Sequence, residues 1–146
     1  MELFTIGFTK KSAQTFFELI KAHDISMLID IRLNNASQLA SFSKGGDLDY
    51  FLSEICGCNY RYEPIFAPSK ELMDGYKDKK ISTAQFEDGY SSLMTNRGAL
   101  LYFSENFLSE NRICMLCSED TPEHCHRRIL SEMIVAKFHN VPLIHI

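Results

Sequence analysis

The feature that most constrains the fold is a short apolar run, Met27 to Ile31, which only Asp30 interrupts. A strand that is apolar on both faces must be covered on both faces, which is typical of a central strand in a parallel sheet. A helix with Ser12 as its N-cap, extending to about Ala22, is predicted before this run, and a strand from Leu3 to Ile6 before that helix. Strand, helix and strand in this order predict a right-handed crossover unit.

The remainder of the chain continues the alternation of strands and helices. A polar loop over residues 32–46 is followed by a helix from Asp47 to Cys56 with Gly57 as its C-cap, a strand from Asn59 to Glu63, an interrupted helical region from Glu71 to Glu110, a strand from Arg112 to Cys117, a helix from Pro122 to about His139 and a strand from Val141 to Ile146. We predict a single domain over residues 1–146 of the α/β class, a three-layer α/β/α sandwich with a mostly parallel sheet of about five strands.

Composition limits the function classes. The net charge is −4 and the pI about 5.7, so a nucleic-acid partner would have to be bound through a local basic patch. No apolar run approaches the roughly 20 residues that span a bilayer, and the lysines near the N-terminus follow the apolar residues, unlike a signal peptide. We therefore expect a cytoplasmic protein without a membrane partner. Five irregularly spaced cysteines favour reduced thiols over a disulfide framework.

The most informative motif runs from Ile113 to Arg128, with the sequence ICMLCSEDTPEHCHRR. An apolar strand ends at Cys117, a polar loop follows, and a helix is predicted to carry Cys125, His126 and Arg127 in its first turns. At such a junction the free backbone N–H groups and the helix dipole favour a negatively charged ligand.

Polar residues also follow the other predicted inner strands. Because the carboxyl ends of parallel strands share one edge, these residues are expected to meet in a single crevice. They are Gly7 and Thr9 after the first strand, Asp30 and Arg32 at the second, and Ser118 and Glu119 before the last helix.

Several short motifs resemble one known family, the domain of unknown function 488 family, over nearly the whole chain. They are the Cys-x-Glu sequence at Cys117 that leads into Cys-His-Arg, Thr5-Ile6-Gly7, Ile29-Asp30-Ile31-Arg32, and Tyr60 to Pro64. The resemblance implies the fold and the candidate site, but no reaction, since the family has no settled activity. The chain departs from the family pattern at Asn34 and at Ile65-Phe66, both in loops of the predicted crevice.

The first functional hypothesis is a site for a phosphorylated, nucleotide or nucleic-acid ligand, with an enzyme as one candidate class of protein. Arg32 and Arg127 would grip the anion, with Gly7, Thr9 and Ser118 beside it. Alternatively, each arginine is held internally by a carboxylate, Arg32 by Asp30 or Glu119.

The acid–base groups of this hypothesis are Asp30, Glu119 and His126. The apolar stripe of the last helix directs His126 at the sheet, where it is either a core histidine bonded to a strand carbonyl or to Asp30, or a general acid or base. Cys125 beside Arg127 is a candidate nucleophile, although the acidic residues of its loop would raise its pKa. For Cys117 we exclude phosphatase-like or rhodanese-like chemistry, because Glu123 occupies the position at which those loops carry an arginine.

The second hypothesis is a metal site formed by Cys117, Cys125 and His126, with Glu119 as a further candidate ligand. Cys114 completes a Cys-x-x-Cys pair, but residues three apart on a strand face opposite sides. A third hypothesis is a non-catalytic interaction module, in which the motif is a buried polar network. Tyr60, Tyr62 and Phe66 either stack on a ring of a ligand or cover the core. No particular cofactor, substrate or oligomeric state is predicted.

Overall fold

The computed structural model describes residues 1–36 and 40–146, so residues 37–39 of the predicted polar loop lie outside the described residues. Within the described ranges, five strands form one sheet in the order β3-β2-β4-β1-β5, and all neighbours are parallel. The strands are β1 (Glu2–Gly7), β2 (Met27–Asp30), β3 (Asn59–Tyr62), β4 (Arg112–Cys117) and β5 (Leu143–His145). The predicted parallel sheet is confirmed.

Six α-helices connect or follow these strands in the described ranges: α1 (Ala13–Ala22), α2 (Gly45–Phe51), α3 (Lys70–Lys77), α4 (Thr83–Asn96), α5 (Ala99–Phe107) and α6 (His126–Lys137). Ser12 caps α1 as predicted, since its side chain accepts a hydrogen bond from the backbone N–H of Thr15. A π-helical turn, Leu52–Cys56, continues α2 and ends at Gly57, whose φ of 62° is readily adopted by glycine. None of the helices described is long and apolar enough to cross a membrane.

The sheet is covered on both faces, which confirms the three-layer sandwich. Side chains alternate along β1, so that Leu3 packs with α4, α5 and α6 while Phe4 and Ile6 pack with α1 and α2. β2 divides in the same way, with Ile29 on the first face and Leu28 on the second. The uninterrupted apolar character of the central strands follows from this double coverage.

The register of the inner strands brings their carboxyl ends together. β4 lies between β1 and β2, with Gly7 opposite Cys117 and Asp30 opposite Leu116. The segments that follow these three strands therefore emerge side by side, and this is the edge at which the predicted site residues were expected to meet.

The last helix begins later than predicted. Residues 122–125 form a turn in which the backbone N–H of Cys125 donates to the carbonyl of Pro122, and Cys125 has an extended backbone, with φ −114° and ψ 139°. Cys125 is thus the N-cap of α6, and the predicted start at Pro122 was wrong. The cause is the return of the chain toward the sheet, which brings Cys125 back beside Cys117 before the helix starts.

Candidate functional site

A crevice of about 490 Å³ lies at the carboxyl edge of β1, β2 and β4. It is lined by Phe8, Thr9, Arg32, Leu33, Asn34, Met73, Tyr76, Lys77, Phe86, Cys117, Ser118, Glu119, His124, Cys125 and His126. Six of the predicted ligand-binding or catalytic residues are thus placed at or beside one cavity. The lining does not include Gly7, Asp30 or Arg127. These three residues instead contact residues that line the crevice, namely Glu119 and Arg32.

Gly7 allows the loop after β4 to pass directly over the end of β1. A Cβ atom on Gly7 would lie 1.6 Å from the carbonyl oxygen of Glu119 and 2.8 Å from Nη1 of Arg127. No side chain fits there without displacing the loop, so this position requires glycine because two segments of backbone approach closely. The structure gives Gly7 a packing role.

Arg127 holds the same loop from the other side. Its side chain is buried, and Nη1 and Nη2 donate to the backbone carbonyls of Glu119 and Asp120 respectively. Nη1 also lies 3.8 Å from Sγ of Cys125. Both Nη atoms are therefore bonded to the loop, while Nε is buried without a partner among the described residues, and Arg127 does not line the crevice.

Arg32 and Asp30 form the internal ion pair that was one of the two alternatives for this arginine. Nε and Nη2 of Arg32 donate to the two carboxylate oxygens at 2.8 and 2.7 Å, and both side chains are at most 2% exposed. Asp30 also accepts from the Tyr60 hydroxyl at 2.7 Å, and burial next to this carboxylate raises the pKa of Tyr60. Nη2 of Arg32 donates in addition to the carbonyl of Ser43.

Cys117, Cys125 and His126 form a compact buried cluster, which we call the Cys-Cys-His cluster. One ligand atom from each residue lies within 4.8 Å of those of the other two. Sγ of Cys117 is 3.6 Å from Nδ1 and 3.7 Å from Nε2 of His126. Exposed fractions are 4% for Cys117, 2% for Cys125 and 3% for His126, and all three line the crevice.

His126 is oriented by two neighbours. Its Nε2 atom lies 2.9 Å from the carbonyl oxygen of Ile31, just beyond β2, so Nε2–H donates to this carbonyl. The ring of Tyr90 lies 5.4 Å from the imidazole ring, and the Tyr90 hydroxyl donates to the carbonyl of Phe66. The contact of His126 with a strand-end carbonyl is one of the alternatives that the sequence suggested.

The two thiols of the cluster differ in acidity. Burial raises the pKa of Cys117, but hydrogen bonds from Cys125 and from the backbone N–H groups of Glu119 and Ser118 together lower it below the ordinary value. The pKa of Cys125 is raised, because its thiol is hydrogen-bonded to Cys117 and is buried. Of the two thiols, Cys117 is thus the more acidic.

The other predicted residues have simpler surroundings. The Thr9 hydroxyl donates to the carbonyl of Ser118, which ties the segment after β1 to the loop after β4. Tyr62 donates to the carbonyl of Leu33, and Phe66 is fully buried in the core. Of the three aromatic residues considered for stacking, Phe66 covers the core, and Tyr60 and Tyr62 have their hydroxyls occupied.

No sequence pattern linked one wall of the crevice to the predicted site. Met73, Tyr76 and Lys77 on α3 and Phe86 on α4 line it. These helices are connected to the motif neither by spacing nor by a shared pattern, so only the packing of α3 and α4 shows their place. His124 also lines the crevice, and its position beside Cys125-His126 was the one signal that could have revealed it.

Fold and site define an α/β domain with a covered parallel sheet and a buried Cys-Cys-His cluster at the carboxyl edge of that sheet. Residues 12–134 match the domain of unknown function DUF488. The chain therefore belongs to this family, and the resemblance suggested by the short motifs is confirmed. Comparisons with curated proteins and with solved structures gave no match.

Proposed function

We propose that the Cys-Cys-His cluster binds a transition-metal ion, with zinc as the best fit. The observation that carries the proposal is the convergence of two sulfur atoms and one imidazole nitrogen within 4.8 Å of one another. Thiolate and imidazole ligands together favour zinc among the common metals, and two thiolates balance its charge.

The distance between one sulfur and one nitrogen agrees with tetrahedral coordination. Zinc bonds of about 2.3 Å to sulfur and about 2.0 Å to nitrogen separate these two ligand atoms by about 3.5 Å. Sγ of Cys117 and Nδ1 of His126 are 3.6 Å apart. The bond from Nε2 to the carbonyl of Ile31 is the kind of outer contact that orients a metal-bound histidine and leaves Nδ1 to bind the metal.

Three protein ligands leave one coordination position for a further group. Because Cys117, Cys125 and His126 all line the crevice, this position would be accessible to water or to a small ligand there. Catalytic zinc sites keep such an open position, whereas structural sites close it with a fourth protein ligand. The proposal is therefore a metal-dependent site that acts on, or senses, a small molecule bound in the crevice.

The structure favours this hypothesis over an anion gripped by both arginines. Arg127 is bonded to two loop carbonyls, and the charge of Arg32 is compensated by Asp30. Binding of an anion between the two arginines would require Arg127 to leave these carbonyls, and Arg127 is not among the residues that line the crevice.

Metal analysis of freshly purified, reduced protein tests the proposal. We expect about one zinc ion per chain in the wild type and in Cys56→Ser, which changes a half-buried cysteine outside the cluster. The double variant Cys117→Ser, Cys125→Ser should contain none and should not recover metal on incubation with zinc. Circular dichroism would establish that this variant is folded.

A cobalt-loaded sample gives an independent readout, because cobalt(II) bound to thiolate produces a charge-transfer band. The proposal fails if reduced wild type takes up neither zinc nor cobalt, or if the folded double variant takes up as much as the wild type.

A further inference from the structure

One nitrogen of Arg32 lacks a partner in the described part of the chain. Nε and Nη2 are bonded to Asp30 and to the carbonyl of Ser43, whereas Nη1 is buried and accepted by no oxygen there. A buried donor without an acceptor is unfavourable, and few such groups occur in folded proteins. The Nη1 atom is therefore suited to an acceptor that the polypeptide does not itself supply.

The place from which such an acceptor could come is the crevice. Arg32 lines it together with Cys117 and His126, although only 2% of the arginine is exposed. The Phe8 ring, 5.3 Å from Cζ of Arg32, covers one face of the guanidinium group and lines the same cavity. The pair with Asp30 fixes the guanidinium plane, so Nη1 is held in position before any ligand arrives.

The other polar groups around the crevice indicate the charge of the ligand. Lys77 lines the cavity from α3 and has no salt-bridge partner among the residues described. His124, on the loop before α6, also lines the cavity, and Glu119 contributes the one carboxylate of the lining. The cations of Arg32 and Lys77, which come from separate elements, thus both border the cavity that contains the Cys-Cys-His cluster.

We infer that the crevice binds a small molecule carrying an oxyanion, either a carboxylate or a phosphate. One oxygen of this group accepts from Nη1 of Arg32 and another from Nζ of Lys77, which places the adjoining atoms of the ligand beside the cluster. The inference rests on the proposed metal site for what happens to the ligand, but the oxyanion contacts themselves are made by the protein. In this arrangement Arg32 and Lys77 hold the anion, instead of Arg32 and Arg127.

Titration of cobalt-loaded protein with inorganic phosphate and, separately, with acetate tests the inference and distinguishes the two oxyanions. We expect saturable changes in the visible bands and a rise in melting temperature with at least one of them. Arg32→Lys keeps a cation beside Asp30 but lacks Nη1, and Lys77→Gln alters an exposed side chain. Each should weaken binding of that anion by about tenfold.

The matched control is Arg61→Lys, which changes an arginine paired with Glu63 that is not among the crevice residues. It should bind the anion as the wild type does. Metal content, measured on every variant, separates loss of the cluster from loss of the oxyanion site.

Two outcomes overturn the inference while leaving the metal site intact: metal-loaded protein that responds to neither anion, or folded Arg32→Lys and Lys77→Gln variants that bind as tightly as the wild type. The latter would mean that the anion binds at the metal alone.

If metal loading fails, the melting temperature of the metal-free protein with and without each anion tests the oxyanion site by itself. Stabilisation by phosphate or acetate that depends on Arg32 would support the oxyanion site and reject the metal proposal, and no stabilisation would reject both.

Discussion

The carboxylate of Asp30 accepts hydrogen bonds from the side chain and the backbone N–H of Arg32 and from the hydroxyl of Tyr60, all beneath the crevice. Arg32 follows β2 and Tyr60 lies in β3, so this single carboxylate ties the end of β2 to β3. Removal of a charge from such a group leaves the opposite charge buried, which costs far more than the pair contributes at a surface.

Asp30→Asn should therefore lower the free energy of unfolding by about 3–5 kcal/mol, because the Arg32 cation remains in the core without its counter-charge. Urea denaturation followed by circular dichroism measures the change. Asp74→Asn is the matched control, since Asp74 pairs with Lys70 on the exposed side of α3, and its midpoint should equal that of the wild type. Equal midpoints for both variants would contradict the importance of the buried pair.

Gly7→Ala should also be destabilising, by about 1–3 kcal/mol, because the new methyl group would collide with the carbonyl of Glu119. Gly46→Ala should have the opposite effect. Gly46 lies in α2 with nothing within 4 Å of an added Cβ, and alanine is the better helix former. Thermal denaturation of the two variants compares them directly, and a stable Gly7→Ala protein would show that the loop after β4 can move aside.

At the scale of the secondary-structure elements, two adjacent arginines of α6 have opposite surroundings. Arg127 is buried and bonded to the carbonyls of Glu119 and Asp120, whereas Arg128 pairs with Glu87 and Glu132 near the surface. Arg127 connects the helix to the part of the preceding loop nearest β4, whereas Arg128 pairs with these two glutamates and donates through Nε to the carbonyl of Glu123.

Arg127→Lys should lower the free energy of unfolding by about 1–3 kcal/mol, because one ammonium group cannot satisfy both carbonyls. Hydrogen exchange of the loop amides should accelerate as well, and mass spectrometry of peptides covering residues 118–125 would detect it. Arg61→Lys, which changes an arginine outside this loop, is the control and should leave this exchange unchanged. Equal exchange in the two variants would show that the loop does not depend on Arg127.

The elements themselves were largely predictable, for physical reasons. The apolar run at β2 needs cover on both faces, and the N-cap Ser12 and C-cap Gly57 mark helix ends through local hydrogen bonding and backbone freedom. The pairing of Asp30 with Arg32 was one of two open alternatives. The sequence could not decide between them, because a guanidinium group on its flexible chain reaches both an internal carboxylate and a ligand.

The start of α6 and the wall of the crevice were not predictable in the same way. The loop that returns Cys125 to Cys117 is closed by Arg127 through backbone carbonyls, which carry no sequence signature. The wall from α3 and α4 depends on how these helices pack on the sheet. Local sequence patterns contain neither kind of information, since both are set by contacts between distant segments.

At the scale of the whole molecule, several buried thiols make stability sensitive to alkali. Burial raises the pKa of Cys58 to about 12 and also raises that of Cys114. Above an ordinary thiol pKa of about 9, the unfolded chain loses these protons while the folded chain keeps them, so the free energy of unfolding falls as pH increases. Below about pH 9 these thiols are protonated in both the folded and the unfolded chain, so they do not make the free energy of unfolding depend on pH.

We therefore expect the free energy of unfolding of metal-free protein to decline between about pH 9 and 12, the range set by Cys58. Cys58→Ala should make the decline shallower, by up to about 1.4 kcal/mol per pH unit, because it removes one such group. Urea titrations at successive pH values in the presence of a chelator measure the slope. An unchanged slope would mean that this thiol ionises equally in the folded and unfolded chains.

The strand order has a consequence for synthesis of the chain. β1 pairs with β4 and β5, and the slot between β1 and β2 belongs to β4, so the first strand has no neighbour until residues beyond 111 have left the ribosome. Until then the nascent chain presents unpaired strand edges, which readily pair with other chains. Cys117, Cys125 and His126 are made only near the end of that period. Closure of the sheet and assembly of the cluster therefore both wait for the same stretch of chain, β4 and the loop that follows it.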